Sequence, residues 1–194
     1  MRFSSRHRTA GFSLVELVTV LAVGLIMTAV AVPGAMRQYR QYRLNSSTVS
    51  VANLLQRCRY EAIRLNTNVS CLGNAAPAGF TFWADSNNNG AVDLGEPQYL
   101  FPNDLVLGPA GAPGAAPTAN FPGGVTPAPG VGGGITFTPR GGIVPPVGGG
   151  GGFFFSIGYP AAMGINTFRG VTVSPTGKTK IWGATPGSNW VWAQ

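Results

Sequence analysis

An apolar run in this chain starts with the segment GFSLVELV, residues 11–18, and continues to Pro33. Between residues 12 and 36 the only charged residue is Glu16, and most of the others are Leu, Val, Ala, Ile or Met. A helix needs about 20 apolar residues to cross the hydrocarbon core of a bilayer. We therefore predict a membrane-spanning helix over residues 12–36.

A secretory signal peptide is the main alternative for this run. Ala29-Val30-Ala31 loosely resembles the cleavage site of such peptides, but their apolar core is shorter and carries no carboxylate. We therefore favour the spanning helix. A carboxylate inside an apolar helix is costly in lipid, so Glu16 either reaches the membrane interface or has a specific partner.

The segment GFSLVE, residues 11–16, resembles the processing motif of the type IV pilin and pseudopilin superfamily. The resemblance implies that a prepilin peptidase cleaves between Gly11 and Phe12 and that the new N-terminal Phe12 is methylated. Residues 1–11 are then a leader peptide. The resemblance also implies that Glu16 pairs with the N-terminal amine of a neighbouring subunit during filament assembly.

The chain has 194 residues, with 13 Lys plus Arg against 6 Asp plus Glu. Arg2, Arg6 and Arg8 belong to the leader, so the net charge overstates the basicity of the remaining chain. Basic residues flank the apolar run on both sides, and the positive-inside rule is nearly tied. Orientation therefore rests on the pilin resemblance, which implies an inner-membrane anchor with the C-terminal domain in the periplasm or in an extracellular pilus.

The single histidine, His7, lies in the leader, which removes Ser-His-Asp and Cys-His catalysis and the usual zinc sites from the mature chain. We therefore predict that the protein is not an enzyme. Cys58 and Cys71 lie in the part expected outside the cytoplasm, where disulfides persist. We favour a disulfide between them, and two buried free thiols are the alternative.

A second helical segment is predicted beyond Pro33, with residues 37–66 forming an amphipathic helix that continues into the globular domain. Glu61 can pair with either Arg57 or Arg64 on one face of this helix. Another face carries a stripe at spacings of three and four, which we expect to pack on the domain's own sheet. The stripe consists of Leu44, Thr48, Val51, Leu55, Cys58, Ala62 and Leu65.

Residues 67–194 are predicted to form an antiparallel β domain with short strands. Residues 108–152 are rich in Gly and Pro, so we expect loops over most of this region. The predicted fold class is α+β, with a long N-terminal helix packed on an antiparallel β-sandwich-like domain. The candidate strands are Val69–Leu72, Gly79–Ala84, Gln98–Phe101, Ile135–Thr138, Phe153–Ile157, Phe168–Ser174, Lys178–Trp182 and Trp190–Trp192.

Several segments are similar to minor pilins of the GspH/FimT type. RYEAIR, residues 59–64, resembles the helix end of that family, and looser similarities cover residues 79–96, 135–141 and 171–180. The resemblance implies two antiparallel sheets packed on the C-terminal half of the long helix. It also implies that the partners are other pilins or pseudopilins, prepilin peptidase and the inner membrane.

The segment from Asp85 to Glu96 fits the twelve-residue calcium-loop pattern, but its flanks are predicted strands and not the helices of an EF-hand. The alternative to a calcium site is a hairpin loop in which Asn and Gly take positive φ and Asp caps the turn. This spacing also recurs in GspH/FimT-type proteins. The calcium ligands would be Asp85, Asn87, Asn89, the Ala91 carbonyl, Asp93 and a bidentate Glu96.

Residues 175–177, Pro-Thr-Gly, are predicted to form a three-residue hairpin loop. The register turns Val171, Val173, Thr179 and Ile181 inward, so Lys178, Lys180 and Trp182 would project from the opposite face. Two cations beside an aromatic ring suit a nucleic-acid backbone with a base to stack, and Arg169 is a candidate third charge. The alternative is a solvated strand face with Trp182 covered by residues 190–192.

FimT-type minor pilins implicated in natural transformation are thought to bind DNA through a Gly-Arg-x-Arg motif. GKTK, residues 177–180, is similar, but its lysines lose the bidentate phosphate recognition of arginine. The sequence therefore predicts a minor pilin of a type IV pilus, with DNA for uptake as an added partner. A GspH-like pseudopilin of a type II secretion system is the alternative, and a carbohydrate- or surface-binding module is a third hypothesis.

Overall fold

The computed structural model describes residues 13–76, 79–113, 126–127, 134–145, 151–160, 163 and 167–193. The predicted leader, the cleavage site at Gly11 and Phe12, and much of the predicted loop region 108–152 lie outside the described residues. The chain divides into two compact units, Met1–Arg40 and Gln41–Gln194, and each is described by itself.

One helix, α1, runs from Leu14 to Leu65 and passes through Pro33. The two helical segments predicted on either side of Pro33 are therefore one element. Proline removes a single i→i−4 hydrogen bond, and the residues around it continue the helix. In the first unit, every described residue from Ser13 to Tyr39 is exposed.

The predicted stripe on the second part of α1 is buried from Leu44 to Ala62, but Leu65 is exposed. Asn66 has a φ of 52°, and the Thr67 N–H donates to the Ala62 carbonyl at 3.3 Å. This left-handed C-terminal cap ends the helix at Leu65, within one residue of the predicted end.

Ten strands form two sheets in the described part of the second unit. The first sheet has the order β3-β2-β1-β6, and the second has the order β10-β9-β8-β7-β4, with β5 paired to β7 in parallel. The other pairings are antiparallel. The strands are β1 (Val69–Ala76), β2 (Gly79–Asp85), β3 (Gln98–Leu100), β4 (Val106–Leu107), β5 (Thr126–Pro127), β6 (Gly134–Phe137), β7 (Phe153–Gly158), β8 (Phe168–Val173), β9 (Thr179–Ala184) and β10 (Val191–Trp192).

The predicted α+β fold class is confirmed: the helix packs on a globular domain of two antiparallel sheets. All of the predicted strands are present, with ends that differ by a few residues. The two-residue strands β4 and β5 were not predicted, because neither is long enough to show an alternating pattern.

The main core joins α1 to both sheets. Leu55 from the helix, Phe137 from the first sheet and Val171 from the second belong to one buried cluster. The rings of Phe82 and Phe155 lie 5.8 Å apart and connect the two sheets directly. Each fully buried side chain of this kind contributes about 1.5–3 kcal/mol.

A second, smaller core covers the other face of the second sheet. Its members come from β7, β8 and β9 and from the residue that precedes β10. This cluster makes the second sheet buried on both faces over part of its area. It consists of Phe154, Phe168, Trp182, Ala184 and Trp190.

Candidate functional site

The first part of α1 exposes an extended apolar surface. Every large apolar side chain from Leu14 to Met36 is at least 51% exposed. By length and composition, α1 is the one helix of the described residues that could cross a membrane. Contiguous apolar surface of this size marks a membrane or protein contact.

Glu16 lies in the first turn of this apolar segment and is exposed. The Thr19 hydroxyl donates to the Glu16 backbone carbonyl at 2.9 Å, so this contact does not involve the Glu16 carboxylate. Among the described residues, no hydrogen bond or ion pair reaches this carboxylate. Glu16 is therefore the charged group of this surface that is open to a partner.

The predicted β8–β9 hairpin is confirmed in turn and register. The Ser174 N–H donates to the Lys178 carbonyl at 2.9 Å, and the Gly177 N–H donates to the Ser174 carbonyl at 2.8 Å. Gly177 has a φ of 75°, the left-handed conformation that closes the loop. Thr172 lies opposite Lys180, and Val171 lies opposite Ile181, the residue predicted to share its inward face.

Helix α1 anchors this hairpin loop. Gln56 Nε2 donates to Thr179 Oγ1 at 3.0 Å, and Arg59 Nε donates to the Gly141 carbonyl at 2.8 Å. A Cβ added to Gly177 would overlap the Gly141 carbonyl oxygen, so only glycine allows the two loops to meet here. The hairpin is therefore held by side chains that the sequence analysis did not single out.

The predicted role of Trp182 as a stacking platform is wrong. Its side chain is only 3% exposed, and its Nε1 donates to Thr172 Oγ1 at 2.9 Å. Trp182 faces the direction that was predicted, but the second core covers that face. The alternative that the C-terminal residues cover Trp182 is confirmed, since Trp190 belongs to the same cluster.

The charged and aromatic groups that stay accessible on the predicted surface are Lys178 and Lys180 of the hairpin and Trp192 of β10. Lys178 is exposed, and Lys180 is half-buried with its Nζ 5.3 Å from the centroid of the Trp192 ring. Trp192 lies opposite Trp182 in the β9–β10 pair and is 55% exposed. Sequence reasoning missed Trp192 here, although the turn signal at residues 185–188 pointed to a hairpin that would bring it back.

Arg169 does not add a third charge to this surface. It pairs with Gly183 on the face that carries Val171, and its Nε donates to Asn45 Oδ1 on α1 at 2.7 Å. A Cβ on Gly183 would lie 2.7 Å from Arg169 Nη1, so the glycine leaves room for the guanidinium. Burial lowers the pKa of Arg169. The predicted grouping of Arg169 with Lys180 is therefore wrong.

The loop between β2 and β3 is closed by its own hydrogen bonds. Asp85 is buried, and its two carboxylate oxygens accept the N–H groups of Asn89 at 3.0 Å and Gly90 at 2.9 Å. Glu96 accepts the N–H groups of Ser86 at 2.8 Å and Asp93 at 3.2 Å. The two acidic residues at the ends of the pattern thus stabilise the loop directly.

The features of the metal-free hairpin are present in this loop. Asn88 and Gly90 take positive φ values of 57° and 76°, and Asn87 Nδ2 donates to Asp93 Oδ2 at 2.6 Å. No group of three or more His, Cys, Asp or Glu side chains that could hold a metal was found in the described parts of the chain. Calcium therefore stays a prediction, and binding would require Asp93 Oδ2 to exchange its hydrogen bonds with the Asn87 and Asn89 amides for the metal.

Cys58 on α1 and Cys71 on β1 are buried free thiols in the main core. Burial, together with a hydrogen bond to Cys71, raises the pKa of Cys58 well above its ordinary value. Both cysteines are free thiols in the structure, and the disulfide of an exported chain stays a prediction. It does place the two thiols in contact, as a disulfide would require.

Comparison with models of known protein families matches residues 6–32 to the prokaryotic N-terminal methylation motif. No curated protein and no solved structure matched the chain. The matched motif is a type IV pilin-like prepilin signal, and it includes Gly11, Phe12 and Glu16. This signal implies processing by prepilin peptidase and assembly with other pilins, and the exposed apolar helix is compatible with a single-pass membrane anchor.

Proposed function

We propose that the protein is a minor pilin of a type IV pilus, of the GspH/FimT type, with its C-terminal domain in the periplasm or in an extracellular pilus. Prepilin peptidase cleaves it between Gly11 and Phe12, and it enters the filament through the first part of α1. The observation that carries this proposal is the exposed apolar surface of residues 14–36 with a single carboxylate, Glu16.

The apolar surface suits the subunit both in the membrane, before assembly, and in the filament, after assembly. In the membrane the side chains of residues 14–36 contact lipid, and in a filament they contact the helices of neighbouring subunits. Removing one Leu or Val side chain from water contributes about 1.5–3 kcal/mol, so either environment is strongly favoured over solvent.

Glu16 would supply the specificity of assembly. A carboxylate in an apolar environment is costly unless it is paired, and the N-terminal amine of an adjacent subunit is a cation that could pair with it. Cleavage before Phe12 would create this amine. The ion pair would then set the position at which an incoming subunit docks.

DNA for uptake is the additional partner that we propose for the hairpin. Lys178 and Lys180 supply two cations, and Trp192 supplies an exposed ring on which a base could stack. Two phosphate contacts would make the logarithm of the binding constant fall with the logarithm of salt concentration with a slope of about −2.

The GspH-like pseudopilin of a type II secretion system is the second candidate. One observation favours it: Arg169 and Trp182 are withdrawn from the hairpin surface, so fewer groups remain for DNA than the sequence predicted. Both candidates share the same processing and the same assembly through Glu16, and they differ in whether DNA is bound.

The test compares Glu16→Ala with Thr28→Ala in the full-length chain, expressed in cells that carry the filament machinery. Thr28 lies in the same apolar segment, and its hydroxyl only bonds back to the Gly24 carbonyl at 2.7 Å. We expect both variants to be cleaved, as a mobility shift on a gel would show. We expect only Glu16→Ala to be missing from filaments sheared off the cells, and normal incorporation of this variant would refute the assembly role.

A further inference from the structure

A cavity of about 230 Å³ lies between the second part of α1 and strand β3. Its walls come from one face of the helix and from two residues of the strand. Both elements belong to the compact unit Gln41–Gln194. The lining residues are Ser50, Asn53, Leu54, Arg57, Gln98 and Tyr99.

Strand β3 is the end strand of the first sheet, and in the described structure it pairs only with β2. The Ala84 N–H donates to the Pro97 carbonyl at 2.9 Å, and the Phe101 N–H donates to the Phe80 carbonyl at 2.7 Å. Because hydrogen-bonded pairs alternate along an antiparallel ladder, the backbone groups of residue 99 also point toward β2.

The N–H and C=O groups of Gln98 and Leu100 therefore point to the open edge of the sheet. Both residues are exposed, and Leu100 is 55% exposed although it is apolar. An open strand edge of this kind is a template for pairing with another extended chain. The cavity lies directly beside this edge.

The residues that line the cavity suit a side chain with an apolar stem and an anionic end. Leu54, which is buried, and the half-buried Tyr99 supply apolar surface, while Ser50, Asn53 and Gln98 supply neutral hydrogen-bonding groups. Arg57 is the one charged residue of the lining, and no carboxylate lies with it.

Arg57 has no ion pair or hydrogen bond among the described residues. Glu61, one turn further along α1, could have paired with it, but Glu61 Oε2 accepts from Arg64 Nη2 at 2.6 Å and from Arg64 Nε at 2.8 Å. The Arg57 guanidinium is thus left as a donor for a ligand. A carboxylate matches its planar fork in two parallel hydrogen bonds.

We propose that this edge and cavity bind an extended acidic segment of a partner polypeptide. The segment pairs with the outward backbone groups of Gln98 and Leu100, and one of its Glu or Asp side chains enters the cavity. The aliphatic stem of that side chain lies against Leu54 and Tyr99, and its carboxylate bonds to Arg57. This contact is separate from assembly through the N-terminal helix and does not depend on the proposed pilin role.

The test uses the full-length chain in detergent micelles and a fluorescent, acetylated heptapeptide amide of the sequence Thr-Val-Thr-Glu-Thr-Val-Thr. The same peptide with Gln in place of Glu is the control ligand. Fluorescence anisotropy gives both dissociation constants. We expect the Glu peptide to bind about tenfold more tightly, because a charge-assisted bond to Arg57 exceeds a neutral one.

Variants of the chain separate the two parts of the site. Arg57→Gln removes the preference for the Glu peptide, whereas Arg140→Gln, at an exposed arginine outside the cavity lining, leaves it unchanged. Leu100→Pro removes one outward N–H without removing a bond to β2, so it weakens both peptides. Gln98→Pro removes the other outward N–H and repeats the test at a second position, and thermal melting of each variant checks that it is folded.

Four results would overturn the proposal. The first is equal affinity for the Glu and Gln peptides, and the second is an unchanged preference in Arg57→Gln. The third is that neither peptide binds up to millimolar concentration. Displacement of the peptide by inorganic phosphate, with no effect of Leu100→Pro or Gln98→Pro, would leave a simple anion site and would also contradict pairing at the strand edge.

Discussion

The two parts of helix α1 carry the same kinds of apolar side chain, which are exposed in the first part and buried in the second. Leu21 in the first part is 59% exposed, whereas Leu55 in the second part is fully buried against both sheets. The first part is apolar on all sides, and the second has one apolar stripe and polar residues elsewhere. The pattern of apolar residues along the helix, and not their number, therefore indicates whether they pack against the same chain or against lipid or another molecule.

The largest expected effect follows from placing a charge in each part. Leu55→Asp buries an unpaired carboxylate in the main core and should cost more than about 4 kcal/mol, which prevents folding of the domain. Leu21→Asp should leave the melting of the domain unchanged and reduce membrane insertion. Circular dichroism of both variants in detergent measures the melting, and an equal loss in both would break the comparison.

The two tryptophans of the β9–β10 pair repeat the contrast at smaller scale. Trp182 is buried and hydrogen-bonded to Thr172, so Trp182→Ala should destabilise the domain by about 3–5 kcal/mol. Trp192 is exposed beside Lys180, so Trp192→Ala should cost at most about 1 kcal/mol. Urea unfolding measures both values, and similar losses would mean that the second core does not exist.

The buried thiols provide a test of the burial of the second part of α1. In a chain prepared under reducing conditions, Cys58 should resist alkylation at pH 8 and react after unfolding in urea, because burial raises its pKa and blocks the reagent. The unfolded chain loses its thiol protons at lower pH than the folded chain, so folding stability should fall as pH rises above the ordinary thiol pKa. Fast alkylation of the folded chain would contradict this burial.

The same residues test the disulfide that the sequence favoured. In a chain exported to the periplasm, we expect Cys58 and Cys71 to react in urea only after reduction. The bond would add roughly 3 kcal/mol in the chain-entropy model. Mass spectrometry of the alkylated chain measures the result directly. Alkylation of both cysteines in urea without reductant would show that they are free thiols and would contradict the disulfide.

Calcium binding by the β2–β3 loop should have a smaller effect. With an affinity in the millimolar range, 10 mM calcium should raise the melting temperature by a few degrees, and Asp93→Asn should remove most of the shift. Magnesium at the same concentration is the control. An isothermal titration without heat, together with an unchanged melting temperature, would end the calcium hypothesis.

The smallest expected effect concerns DNA. Binding should weaken with salt with a slope of about −2, Lys178→Ala should reduce the slope by about one, and the double variant with Lys180→Ala should abolish binding. Arg64→Ala, remote in sequence from the hairpin, is the matched control for loss of one charge. No binding at low salt would favour a structural pilus or secretion subunit.

Local patterns predicted much of the fold and part of the site. The Pro-Thr-Gly loop at residues 175–177 and the alternation around it predicted the register of β8 and β9 correctly, because turn chemistry and pleat are local properties. The contacts of the Trp182 and Arg169 side chains, however, were predicted wrongly. Which face of a strand another element covers depends on contacts distant in sequence.

The sequence by itself determined the membrane-compatible apolar helix, the Glu16 carboxylate within the processing motif and the presence of most strands. These features depend on residue order over a few turns or a few residues. Only the tertiary structure decided that Trp182 is core, that Arg169 bonds to Asn45 and that Arg57 faces a cavity beside an open strand edge. Burial and pairing are set by which elements meet in space, and a linear pattern carries that information only weakly.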